Sequence, residues 1–346
     1  MKKIAVIFTA LLALCIAAMP VQSREAAKNA LALCCNVLIP SLFPFLVCSN
    51  LLVSLGAAEK ISEYAGKITR PLFSVEGGGA LPIVLGFLSG YPCGAAAVCN
   101  LYKKGSLSEN EANRLLAFSN NCGPLFIISA VGLGIFGSTR AGIILYASHV
   151  AGALLCGVIF SCFAKKQQNG APAFNAASDP NSGNSISRAA ESMLSLCGTV
   201  VFFSVILSIL RQSGVISFLS ALLCRIGFSR ENAELFSCGL FEITTALFSS
   251  ASKSIPCAAA VISFGGISVL MQTLSFTKTA RLSFFYCVAG KILCAVLSGL
   301  CAYILLIFFP VSIPSFASVI SQKICVFSGF SGFVTILFLL FLSLLK

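Results

Sequence analysis

Ala141–Phe163, Ile255–Phe276 and Phe284–Phe309 each run for more than about 20 residues with scarcely a charge, enough for a helix to cross the hydrocarbon core of a bilayer. In lipid the backbone has no water to bond, so its N–H and C=O groups must be satisfied by helices or by a closed barrel. The runs are continuous and do not alternate polar with apolar residues, which excludes a barrel. The chain is 58% hydrophobic and 10% charged, against about 25% charged in soluble domains. It reads as an all-α polytopic membrane protein.

The expected membrane segments are Met1–Met19, Ala30–Leu55, Gly79–Val98, Leu115–Phe136, Ala141–Phe163, Met193–Arg211, Leu235–Ser250, Ile255–Phe276, Phe284–Phe309 and Val326–Leu345. A short amphipathic piece is expected near Val215–Phe228. Met1–Met19 has the form of a signal sequence, with Val21-Gln22-Ser23 as a possible cleavage site; an uncleaved first span is the expectation. Residues 164–190 are rich in Gly, Pro, Ser and Asn and read as a solvated linker.

Basic residues set the sidedness, because Lys and Arg collect on the cytoplasmic side. Lys60, Lys67 and Arg70 fill one loop, followed by Lys103, Lys104 and Arg114, then Lys165 and Lys166, then Lys278 and Arg281. All four lie in the cytoplasm only if Gly79–Val98 enters the membrane and returns. Its centre, "GFLSGYPCGA", has glycines at 86, 90 and 94 and a proline at 92, a composition that suits a turn at depth. The alternative is that the glycines form a small-residue helix contact.

The two sides of the linker can be superposed. "NVLIPSLFPFLVCSNLLVSLG" lies over "LCGTVVFFSVILSILRQSG", "LGFLSGYPCGAAAV" over "CGLFEITTALFSS", and "FSNNCGPLFIISAVG" over "ISFGGISVLMQTLSF". Each half then has a span, a charged loop, a polar dip, a broken segment and a final span. Three crossings per half would invert one copy relative to the other, the arrangement of secondary transporters. The expectation is about eight transmembrane helices plus two re-entrant or broken segments, with both termini cytoplasmic. The divisions are a first span or signal anchor at 1–29, repeats at 30–163 and 193–309, a linker at 164–192 and a last span at 310–346.

The net charge of +12 is spread over short loops and not gathered in one stripe, which argues against nucleic acid. It favours anionic solutes and lipid headgroups. Seventeen cysteines with a single histidine, His149, lie mostly within apolar segments and read as small apolar filler. No metal site, cofactor or catalytic motif is expected; "LSG" around Ser89 lacks the glycine spacing of an intramembrane serine protease.

Polar residues inside membrane segments are the candidates for function. Glu242 is the only acid within an expected membrane segment. It either serves a proton, cation or substrate, or forms a structural ion pair with Lys291. Asn120, Asn121, Gly123 and Pro124 mark one helix break, and Ser263, Gly265 and Gly266, followed by Gln272, mark its counterpart. Freed amides at such breaks can hold an anion or polar ring, or the asparagines simply satisfy the broken backbone. Ser89, Gly90, Tyr91, Pro92, Thr244 and Thr245 are further candidates for substrate binding.

Together "IPSLFPFLVCSNLL", "GFLSGYPCGA", "NNCGPLF" and "GLFEIT" resemble the sporulation integral membrane proteins of the YlbJ type. These carry the nucleoside-recognition Gate domain and are distantly similar to concentrative nucleoside transporters. The resemblance covers about Arg24 to Phe309. It implies a role in endospore formation, in the mother-cell-derived membrane around the forespore, and movement of dipicolinic acid toward the forespore. A nucleoside carrier and a non-transporting sporulation scaffold are the alternatives. Homo-oligomers or sporulation membrane partners are compatible with it.

Overall fold

The computed structural model describes residues 2–54, 57–75, 77–163, 185–252 and 254–311. The expected linker, apart from its last residues, and the last span, Val326–Leu345, lie outside them. The described residues are helical almost throughout, as backbone satisfaction in lipid requires. Helix α1 (Lys2–Ala18) leads to α2 (Pro20–Leu33), which continues through a π-helical turn at Cys34–Leu38 into α3 (Ile39–Ser54). Next come α4 (Ala57–Phe73), α5 (Ala80–Ser89), α6 (Cys93–Lys103) and α7 (Glu109–Phe118), then a π-helical stretch at Phe126–Leu133 and α8 (Thr139–Ser161). Beyond the linker are α9 (Ser185–Gln212), α10 (Val215–Arg225), α11 (Arg230–Gly239), α12 (Ile243–Ser249), α13 (Ile255–Phe264), α14 (Gly266–Ala280) and α15 (Phe284–Phe308).

The starts of these helices are written locally. Ser108 and Glu111 form a reciprocal capping box on α7. Ser138, Ser229 and Ser254 cap α8, α11 and α13 through their hydroxyls. The breaks are equally local. Gly265 and Gly266 take left-handed φ values of 86° and 75° in succession, and so separate α13 from α14. Gly90 takes φ 78°, and the Tyr91–Pro92 peptide is cis. Helices α5 and α6 are 10 and 11 residues long, about 15 Å each. They pack on each other as the two arms of a hairpin, as do α11 and α12.

Gly86 and Gly94 grip the break that follows α7. A Cβ on Gly86 would lie 1.7 Å from the Ser119 carbonyl oxygen, and one on Gly94 would lie 2.0 Å from the same atom. The two readings of this stretch are thus combined. A turn divides the segment, and glycines on both arms close on a single carbonyl of a neighbouring element. The second hairpin is held differently. The N–H groups of Ile267 and Ser268, freed at the start of α14, donate to the carbonyls of Leu240 and Phe241 in its turn at 2.8 and 3.0 Å.

Helices α8, α13 and α15 pack against one another at the centre, and α15 also packs on α7. The last contact is backbone-close, because a Cβ on Gly290 would lie 2.0 Å from the Ala117 carbonyl oxygen. Outward faces carry Ile143, Leu155, Leu194, Phe202, Ile304 and Ile307, all exposed and suited to lipid.

Four helical stretches are long and apolar enough to cross a membrane: Thr139–Ser161, Ser185–Gln212, Ile255–Ala280 and Phe284–Phe308. Counting Pro20–Leu38 with Leu42–Cys48, bent by 55°, as one span makes five. The expected count of eight also included Met1–Met19, which forms the 17-residue α1, and Leu115–Phe136, which is divided at its polar break. Two further expectations are corrected. The stretch holding Lys60, Lys67 and Arg70 is not a loop but α4, an amphipathic helix. Arg114 is buried, with Nη2 donating to the Ser74 carbonyl at 2.7 Å, because α7 turns inward from its capping box.

Candidate functional site

The two hairpin turns and the two helix breaks converge on a cavity of about 80 Å³. On a scale where one water needs roughly 10–15 Å³, that is room for about six. Ser89, Gly90, Tyr91 and Cys93 line it from the first hairpin, and Cys122, Gly123 and Pro124 from the first break. Glu242, Ile243 and Thr244 line it from the second hairpin, and Ser268, Val269 and Gln272 from α14. Leu38, Leu42 and Leu46 close one side and Ser192, Leu196, Thr199 and Val200 another. The wall is thus largely apolar, with hydroxyls, an amide and one carboxylate set into it.

Glu242 caps α12. Its Oε1 accepts from the Thr244 N–H at 2.8 Å and its Oε2 from the Thr245 N–H at 2.5 Å. A carboxylate at a helix N-terminus meets both free amides and the positive end of the dipole. Burying it is costly unless such bonds are made.

Lys291, fully buried on α15, has other partners. Its ammonium donates to the Tyr91 hydroxyl at 3.1 Å and to the Asn120 carbonyl, and it sits 4.3 Å from the centre of the Tyr91 ring. The Tyr91 hydroxyl in turn donates to the Ile262 carbonyl at 3.0 Å. The expected Glu242–Lys291 ion pair is therefore not made: among the described residues neither is in an ion pair with the other. Each charge is neutralised by backbone instead, the carboxylate by amides starting a helix and the ammonium by a carbonyl beyond the end of one.

Asn120 and Asn121 do not line the cavity. Asn120 Nδ2 donates to Thr273 Oγ1 at 2.9 Å, and Asn121 Nδ2 to the Phe118 carbonyl at 2.8 Å. Their Oδ1 atoms are buried without a hydrogen-bond partner. Ser263 also lies behind the wall, with Oγ 2.7 Å from His149 Nδ1. His149 Nε2 accepts from the Cys122 N–H at 3.0 Å, which fixes the neutral tautomer with its proton on Nδ1. This clamp joins the first break to α13 through α8. Pro92 and Gly265 shape the turn and the break without lining the cavity.

Thr245 faces elsewhere. With Ser204, whose Oγ is 2.5 Å from Thr245 Oγ1, it lines a larger cavity of about 420 Å³ between α2, α9 and α12. Consecutive threonines of α12 thus face different cavities. Sequence reasoning missed Ser192, Thr199 and Ser268 in the first wall, since isolated hydroxyls in apolar helices carry no signal. The spacing of Ser192 and Thr199 by seven residues is the only pattern that marks them as one face.

Residues 36–165 match the family model described as Gate: Nucleoside recognition. The chain is 35% identical over 149 residues to the sporulation integral membrane protein YlbJ of Bacillus subtilis (strain 168), a match covering 43% of this chain and 36% of that relative. The region matched is therefore only about a third of the relative's length. Two solved structures of the transporter CNTnw share the fold. Its intermediate 3 state has a TM-score of 0.54 at 15% identity, covering 90% of this chain and 86% of the other. Its intermediate 1 state has a TM-score of 0.52 at 17% identity, covering 87% and 84%. The protein is thus a multi-pass helical membrane protein that carries a Gate nucleoside-recognition segment and resembles the YlbJ-type sporulation membrane proteins.

Proposed function

We propose that the protein is a secondary transporter, not an enzyme, and that its solute binds in the cavity between the two hairpin turns. The observation that carries this reading is the convergence of both hairpins and both breaks on one enclosed space. Discontinuous helices meeting between two halves of a bundle are the sites of secondary transporters. On this reading residues 30–163 and 193–309 are inverted-topology repeats, and access alternates between them. The remaining divisions are a first span at 1–29, a linker at 164–192 and a last span at 310–346. The site comprises Ser89, Gly90, Tyr91, Gly123, Glu242, Thr244, Ser268 and Gln272. Pro92, Asn120, Asn121, Ser263 and Gly265 hold its shape from behind, and Thr245 belongs to the neighbouring cavity.

The solute proposed is a small anionic ring compound, dipicolinic acid first, exported toward the forespore in a sporulating cell. The similarity to a sporulation membrane protein and the net charge of +12 support it. Both Glu242 oxygens are engaged by α12 amides, so the carboxylate is held by its own helix. A dianion leaving a negative compartment gains roughly 2.3 kcal/mol per charge per 100 mV, enough to drive export unaided. A nucleoside is the second reading, favoured by the presence of Glu242 in the wall, since a carboxylate accepts from ribose hydroxyls and repels anions. Purified protein in proteoliposomes, given dipicolinate and nucleosides side by side under an imposed potential, separates them. Dipicolinate flux that follows the potential supports the first reading, and nucleoside flux alone the second. No flux of either, with sporulation unaffected by Glu242→Gln, leaves the scaffold.

A further inference from the structure

Lys291 is the one buried ammonium described at the junction of the hairpins and breaks, and its acceptors are of an unusual kind. They are a main-chain carbonyl in the unwound stretch after α7, the Tyr91 hydroxyl at 3.1 Å and the face of the Tyr91 ring at 4.3 Å. No carboxylate is in ion-pair contact with it among the described residues. Carbonyls of unwound segments and the C-terminal ends of half-helices are the groups that coordinate coupling cations in transporters with broken helices. The break is also rich in acceptors, because the Oδ1 atoms of Asn120 and Asn121 are buried without hydrogen-bond partners. The titratable groups that influence Lys291 are the thiols of Cys122, Cys156, Cys287 and Cys294, and it acts in turn on His149.

We propose that the Lys291 ammonium is a tethered cation. It fills, by a covalent arm from α15, the oxygen-lined position that a free alkali ion would otherwise take, so the first hairpin is held closed on the break without any bound ion. Lys291 does not line the cavity; it acts through Tyr91, which does, and is a positioning residue. If the protein carries solute as proposed above, that movement is independent of Na⁺ and K⁺.

The test compares the wild type with Lys291→Ala and Lys291→Met, each measured for thermal unfolding in detergent and for flux in vesicles, in NaCl, n-propylammonium chloride or choline chloride. The wild type unfolds at the same temperature in all three salts. Lys291→Ala unfolds lower in choline and recovers by about 5 °C in n-propylammonium or Na⁺. Lys291→Met fills the space without a charge, stays below wild type and gains nothing from either cation. A wild type stabilised by Na⁺ over choline, a Lys291→Met protein as stable as wild type, or a folded Lys291→Ala protein blind to every cation would each overturn the tethered-cation role. The unfolding measurements decide this even if the wild type moves no solute, an outcome that counts against transport alone. If Lys291→Ala does not fold, the wild-type and Lys291→Met comparisons still decide.

Discussion

Two glycines carry the closest approach at the first hairpin. Any Cβ on Gly86 or Gly94 would overlap the Ser119 carbonyl oxygen, at 1.7 and 2.0 Å, and both sides of that contact are backbone with nowhere to move. Gly86→Ala and Gly94→Ala are each expected to lower stability by about 2 kcal/mol or more, read as a fall in unfolding temperature in detergent. Gly198→Ala is the control, since nothing lies within 4 Å of a Cβ there, and it should unfold close to wild type. Glu242 gives the second residue-scale expectation. Glu242→Ala removes both caps of α12 and should cost about 1–2 kcal/mol, whereas Glu242→Gln keeps one acceptor and costs less. A loss of the same size in both would mean that charge, and not capping, sets the energetics.

Between elements, the clamp Cys122 N–H to His149 to Ser263 Oγ ties the first break to α13. His149→Leu leaves the buried Cys122 amide without an acceptor and should cost about 1–3 kcal/mol. Ser263→Ala should cost less. The double variant should fall short of the sum, because both remove one network; strict additivity in unfolding temperatures would show the two contacts to be independent. The elements themselves were legible in the sequence because their signals are local. "GYP" announced the first hairpin turn, "SNNCGP" and "FGG" the two breaks, and apolar length the long helices. What could not be read was which broken end meets which charge. Glu242 and Lys291 look like partners in a list of membrane charges, yet the sequence does not show that one starts a helix while the other lies beside the end of another. Likewise "EKISEYAGKITR" reads as a charged loop until its 3.6-residue spacing is allowed to form the amphipathic α4, one side of which carries exposed Lys67 and Arg70. The asparagines were found as polar and central, but whether a side chain faces the cavity or the backbone behind it depends on tertiary packing.

At the scale of the molecule, both halves supply the same kinds of part in the same order: a two-armed hairpin, a broken segment and a long final helix. The final helices α8 and α15 pack together and bring the irregular parts to one place. Irregular backbone is tolerated in a membrane only where protein or a wet cavity receives it, so its concentration around one space is the strongest structural argument for a solute site there. The apolar wall supplied by α3 and α9 closes that space and explains why it is small in this conformation. The most direct measurement is flux through proteoliposomes with the space deliberately filled. Ser268 lines it and is buried, and Ser268→Leu places a larger side chain there. With unfolding temperature used to confirm a folded protein, the expected result is a loss of solute flux of about tenfold or more, while a substitution on the lipid face such as Ile304→Leu leaves flux unchanged. Wild-type flux in a folded Ser268→Leu protein would contradict the account.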